Sequence, residues 1–209
     1  MPRGGGAGHL SLTNAGAPEQ SRIGVIVRHL RLVSSQPPQV TMDQACLEAF
    51  QRELDYVFRT LRRFGVGPSE LEDLAQDVFL ALRRSWAEYD QDRPLRPYLF
   101  GIAFRIASAH QRKRSREVAL GIVEVDDTNP GPDDALAAKQ ARALVLAALD
   151  RIPLPRRAVL VMHDIDGVAM GAVASALSIP LFTAYSRLRK ARRELEAAVR
   201  RLLREAGGR

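Results

Sequence analysis

Residues 168–195 read VAMGAVASALSIPLFTAYSRLRKARREL, and this stretch decides the fold. Val168 to Leu177 form a short apolar helical segment, Ser178-Ile179 a tight connection, and Pro180 sits where a first helical position tolerates proline. A second helix follows with two distinct faces. On a 3.6-residue wheel Leu181, Ala184, Leu188, Ala191 and Leu195 fall on one side, and Phe182, Tyr185, Ser186, Arg189, Lys190, Arg192 and Arg193 on the other. One face packs and the other is free to meet a groove. A short helix, a tight turn and a basic second helix are the sequence form of a helix-turn-helix, whose second helix lies in the major groove of DNA.

Charge is distributed to match. The chain of 209 residues carries a net charge of +7, with 46% hydrophobic residues, enough for a buried core. Residues 93–116 contain seven Arg or Lys and no acid, whereas residues 117–138 contain six acids and no base. Residues 185–204 contain eight Arg or Lys against Glu194 and Glu196. Two basic lobes therefore flank an acidic spacer, which points to a polyanionic partner. Cys46 is the only cysteine, so there is no intrachain disulfide, a thiolate zinc site is excluded, and a reducing cytoplasm fits. His9, His29, His110 and His163 share no ligand spacing, so neither a metal nor another cofactor is expected. The apolar run IGVIV at 23–27 is too short for a membrane span or a secretory signal core, and no membrane insertion is expected.

The remaining segments read as helices separated by proline and glycine. Residues 1–41 are rich in Gly, Pro, Ser and Gln without a helical period, and are expected to be a disordered arm or a misassigned translation start before Met42. A first helix is predicted over 43–64, closed by Gly65-Val66-Gly67-Pro68. Ser69 is expected to cap a second helix, 70–87, with a packing stripe of Leu71, Leu74, Ala75, Val78, Phe79, Leu82 and Trp86. Its opposite face carries Asp73, Gln76, Asp77 and Leu80. An apolar residue inside an acidic patch is how a partner-binding face would look, although a lone exposed leucine is also ordinary. After a proline-punctuated loop at 89–97, a helix over 98–115 is apolar around most of its circumference. Its polar stripe is Gly101, Arg105, Ser108 and Arg112, running into Arg112-Lys113-Arg114. Such an edge can lie along phosphates, and equally its cations complement the C-terminal helix dipole. Residues 117–138, centred on DDTNPGPDD, read as a linker. Helices over 141–152 and 156–165 then lead through Asp166-Gly167 into the helix-turn-helix. The prediction is an all-α chain of two small helical domains, 42–116 and 139–205, joined by an acidic flexible linker.

The order of segments carries more weight than any one of them. DYVFRTLRRFGV (55–66), LEDLAQDVFLAL (71–82), RPLRPYLFGIAFRIASAHQRKR (93–114) and RIPLPRRAVLVMHDIDGVAM (151–170), followed by the helix-turn-helix, resemble the extracytoplasmic-function (ECF) sigma factors of bacterial RNA polymerase. The resemblance covers about 43–204. It implies a non-enzymatic factor that binds core polymerase and directs promoter-specific initiation, with an anti-sigma protein as a further partner. By that resemblance Asp73, Gln76, Asp77 and Leu80 face the polymerase, and the acidic linker threads its RNA exit path. Tyr89, Arg93, Tyr98, Arg105, Ser108, Arg112, Lys113 and Arg114 meet the minus-10 element, where an extruded base needs an aromatic pocket and the backbone needs cations. Trp86 is also near but sits on the packing stripe. Phe182, Thr183, Tyr185, Ser186, Arg187, Arg189, Lys190 and Arg193 meet the minus-35 element.

Departures from the family pattern concentrate in the reading turn. Ser178 and Phe182 stand where glycine is usual, Ala184 replaces valine, Tyr185 replaces arginine, and Gly171 replaces glutamate. They leave the packing stripe apolar and bear on promoter preference. Two other classes compete with this one. Glu70, Glu72, Asp73 and Asp77 as metal ligands of a phosphoryl-transfer enzyme fail to converge on one face and have no phosphate loop beside them. A helix-turn-helix regulator acting without polymerase explains 168–195 but leaves the Asp73–Leu80 face and the first basic lobe unused.

Overall fold

Helix α1, Val40–Arg52, and helix α2, Leu54–Arg63, share one apolar stripe but not one axis. The computed structural model describes residues 40–119 and 136–207, and every regular element among them is helical. A single helix over 43–64 is not what forms. Glu53 adopts φ −107° and ψ 7°, and its N–H bonds back to the Phe50 carbonyl at 3.0 Å, so the chain bends there. The bend turns Leu54, Tyr56, Val57, Thr60 and Leu61 inward together. The helix also begins at Val40, inside the expected arm and two residues before Met42; residues 1–39 of that arm lie outside the described residues.

Helix α3, Leu71–Ser85, buries the whole expected stripe, including Trp86 just beyond its end. Its N-cap position is Glu70 rather than Ser69, and the Glu70 side chain makes no capping hydrogen bond. Helix α4 runs Leu95–Ala119, longer at both ends than the expected 98–115. Pro97 does not stop it, because first-turn N–H groups have no intrahelical acceptor to lose. At the other end Lys113 and Glu117 pair one turn apart. Phe50 against Phe79 (5.2 Å between ring centres) and Phe64 edge-on to Phe100 (5.1 Å) form the middle of this first core.

Helix α5, Leu136–Asp150, starts inside the segment read as linker, whose central part, 120–135, lies outside the described residues. Helix α6, Leu154–Leu160, begins two residues before the expected Arg156, since Pro153 and Pro155 suit an N-terminus. It continues into a π-helical turn, Val161–Ile165, closed by the Asp166 N–H on the Val161 carbonyl at 2.9 Å. Helix α7, Met170–Ala176, and helix α8, Leu181–Gly207, complete the helix-turn-helix. Pro180 is thus the residue before α8, its carbonyl accepting from the Ala184 N–H.

The two groups of helices touch, and all described residues fall in one compact unit. The Asp166 carboxylate accepts from the Tyr56 hydroxyl at 3.0 Å and from Arg63 Nη1 at 2.8 Å. Burial and that neighbouring carboxylate push the Tyr56 phenol well above its ordinary range, so it stays a donor. Gly101 on α4 meets the last turn of α7, where a Cβ would lie 2.5 Å from the Ala176 carbonyl oxygen. Only glycine permits that approach. Arg157, buried on α6, donates to the Asp150 carboxylate (2.7 Å), the Asp150 carbonyl (2.9 Å) and the Ile152 carbonyl (3.0 Å), and more distantly to the Arg63 carbonyl (3.4 Å).

Candidate nucleic-acid and polymerase interfaces

Helix α8 is presented by a turn that glycine would normally make. Ser178 holds φ +52°, the left-handed region that L residues avoid. Its N–H reaches the Ser175 carbonyl (3.1 Å) and the Ile179 N–H the Ala174 carbonyl (3.0 Å), closing the end of α7. Ala184, Leu188, Ala191 and Ala198 are buried against the neighbouring helices. Leu181, assigned to that packing side, is instead 49% exposed. It occupies the first turn of the helix.

The outer face of α8 divides into held and free cations. Arg192 donates twice to Asp164 in the π-helical turn (2.8 and 2.7 Å), and Arg156 clamps Glu194 at 2.7 Å. The hydrogen bond from Arg192 holds the Asp164 carboxyl below the usual aspartate range. Arg189, Lys190 and Arg193 are exposed and Arg187 partly so, and none of the four has a carboxylate partner among the described residues. Phe182 (83% exposed) and Tyr185 (55%) stand among them, with Thr183 and Ser186 half-buried at the edges. Phe182, Tyr185, Ser186, Arg189 and Arg193 line one shallow groove of about 590 Å³.

The expected minus-10 residues fall into two groups. Tyr89 lies between Trp86 (5.6 Å, stacked) and Tyr98 (4.8 Å, tilted), and its hydroxyl donates to the Arg93 carbonyl. Tyr89, Arg93, Tyr98 and Arg105 line one side of a cleft of about 390 Å³ whose other side is Ala172, Ser175 and Ala176 of α7. Gly101, expected on an open polar stripe, is buried by that same helix. Ser108 and Arg112 lie apart, beside a second groove bounded by Leu154 and Pro155. Lys113 is exposed, whereas Arg114 turns to Glu70 at 3.6 Å, and Glu70 is also bonded by His110 Nε2 at 2.9 Å.

On α3, Asp73 and Asp77 are exposed and Gln76 and Leu80 partly buried, on the side opposite the core stripe. The patch is therefore acidic at its centre and only partly apolar at Leu80. Among the described residues there is no group of three or more His, Cys, Asp or Glu placed to hold a metal ion, and no helix is long and apolar enough to cross a membrane. Sequence reading did not find the Tyr56–Asp166–Arg63 junction, the tether on Arg192 or the buried fork of Arg157. The Asp166 partners lie more than 100 residues away and the Arg192 partner 28, and the Arg157 fork spans the Pro153 break, so none of them leaves a periodic signal.

Residues 49–117 match the family described as Sigma-70 region 2, and residues 142–195 match Sigma-70, region 4, which together take in more than half the chain. The RNA polymerase sigma factor NccH of Alcaligenes xylosoxydans xylosoxydans is 27% identical over 153 residues, 70% of this chain and 82% of the relative. The ECF RNA polymerase sigma factor SigE of Mycolicibacterium smegmatis is 28% identical over 163 residues, 74% of this chain and 63% of the relative. The fold is similar to that of the sigma factor RpoE in complex with the anti-sigma factor NepR from Bartonella quintana. That structure gives a TM-score of 0.58 at 22% identity, covering 73% of this chain and 98% of that one.

Proposed function

Because the chain belongs to the extracytoplasmic-function branch of the sigma-70 family and serves promoter-directed transcription initiation, we propose that three of its faces divide that task. The exposed face of α3, with Asp73, Gln76, Asp77 and Leu80, docks on core polymerase. Tyr89, Arg93, Tyr98 and Arg105 in the cleft beside α7, with Ser108, Arg112, Lys113 and Arg114 further along α4, take the minus-10 element. The aromatic rings then receive an unstacked base and the cations follow the backbone. Helix α8 reads the minus-35 element through Phe182, Thr183, Tyr185, Ser186, Arg187, Arg189, Lys190 and Arg193. The polymerase performs the chemistry; this chain carries no catalytic step of its own and works in the cytoplasm. An anti-sigma protein is a partner in this reading, supported by the solved relative that is bound to one.

The observation that carries the reading is the sorting of charge on α8. Among the described residues Arg189, Lys190 and Arg193 have no carboxylate partner, and they lie on the side facing away from the packed stripe, at the position where a helix-turn-helix meets duplex DNA. Reconstitution with core polymerase and run-off transcription test it. Asp77→Lys should weaken core binding with helicity by circular dichroism unchanged, since Asp77 packs against nothing in the core. Arg112→Ala should slow open-complex formation and recover on a template already melted around the minus-10 element. Wild-type behaviour of both variants refutes the assignment of faces, and sequence-specific binding by the free chain without core favours a stand-alone regulator.

A further inference from the structure

Large apolar side chains left in water usually mark a contact surface, and three of them crowd the first turns of α8: Leu181, Phe182 and Tyr185. An acidic or purely apolar protein partner would explain either the rings or the cations around them. Duplex DNA explains both. Arg187, Arg189, Lys190 and Arg193, with no carboxylate partner among the described residues, ask for phosphates, and the major groove displays one apolar group, the C5-methyl of thymine. A phenylalanine at the N-terminal end of the reading helix is placed where base edges are met, and it has no hydrogen bond to offer there.

We propose that Phe182, flanked by Tyr185, determines promoter specificity by packing on a thymine methyl in the minus-35 element. The proposal rests on the assignment of α8 to duplex reading and adds what that helix selects. Arg189 then supplies the polar contact one to two turns further along the same groove, at the far side of Ser186. Recognition at the thymine is apolar, so it depends weakly on salt, while the contribution of the free cations depends strongly on it.

The test uses holoenzyme reconstituted from core polymerase and this chain. Duplexes randomised upstream of a premelted minus-10 region are selected for binding, and each enriched thymine is replaced singly by uracil, which removes only the methyl. One enriched position should show a loss of about fourfold on replacement, the value of one buried methyl group. Phe182→Ala should weaken binding to the thymine duplex and abolish the difference between thymine and uracil there. Its fold is not at stake, because the ring is exposed. An unchanged thymine–uracil difference in Phe182→Ala overturns the proposal. So does wild-type DNA binding by that variant, which would assign the rings to a protein partner. Failure of the underlying reading looks different: Arg189→Ala and Lys190→Ala would then also leave selection and affinity unchanged.

Discussion

Replacing Arg157 with methionine tests what joins α5 to α6. Methionine keeps most of the apolar stem and removes the guanidinium of a residue that is 4% exposed. Three short hydrogen bonds disappear, to the Asp150 carboxylate, the Asp150 carbonyl and the Ile152 carbonyl, at 2.7 to 3.0 Å. The bond to the Arg63 carbonyl at 3.4 Å is too long to matter greatly. Bonds from a charged donor are worth about 1.5–3 kcal/mol each. Two effects reduce their sum. The Asp150 carboxylate is half exposed and returns to water, and burial already works against the guanidinium charge, with Asp150 opposing it. The expected loss is about 2–3 kcal/mol, a fall in Tm of roughly 4–12 °C for a chain of this size. Arg157→Lys should recover little of it, because a single ammonium nitrogen cannot reach the Asp150 carboxylate, the Asp150 carbonyl and the Ile152 carbonyl at once as the three guanidinium nitrogens do. Differential scanning calorimetry at neutral pH measures both variants. A Met variant within about 1 °C of wild type would show that desolvation cancels the whole fork.

Gly101→Leu should force α4 from α7, because its Cβ alone meets the Ala176 carbonyl; hydrogen exchange should accelerate at α7 and around Asp166 while α3 and α4 stay protected, and unchanged protection at α7 would refute the close approach. Ser178→Gly should raise stability by up to about 1 kcal/mol in thermal unfolding by relieving the left-handed backbone, and a decrease would mean the serine is held by more than its backbone. Asp164 should titrate below the ordinary aspartate midpoint of about 3.9 in a carboxyl-detected NMR titration. Because its folded pKa is lowered, the stability it contributes is complete above that midpoint and is lost as pH falls through the folded value; Arg192→Gln should bring the midpoint back up.

How much of this was legible in the sequence depends on the range over which each feature is decided. The stripe of α3 was fully readable, since seven residues at helical spacing all find the core. The bend at Glu53 was not, because the apolar period runs across it and only the backbone angles change. Pro97 marks a loop by sequence although a first helical turn accepts it, which hides the start of α4. On α8 the wheel separates packing from open face but cannot tell Arg192, held by Asp164, from Arg189 and Lys190, which have no carboxylate partner among the described residues. The burial of Gly101 and the Tyr56–Asp166 bond are set by how two distant helix groups meet, and no local pattern encodes that.

The π-helical turn at Val161–Ile165 also acts as an angular setting. Each residue of an α-helix advances the chain by about 100° around its axis, and a π-type closure takes up one residue more per turn. Because the Asp166 N–H reaches back five residues rather than four, the azimuth at which the chain leaves α6 is fixed by the count between Leu160 and Gly167. Removing one residue from the turn would let it close as an ordinary α-turn with the downstream azimuth roughly kept, whereas removing one from the α-helical residues of α6 would rotate everything downstream by about 100°, carrying Asp166 away from Tyr56 and Arg63. The helix-turn-helix could thus be re-aimed by an indel several residues before it begins, with its own sequence untouched.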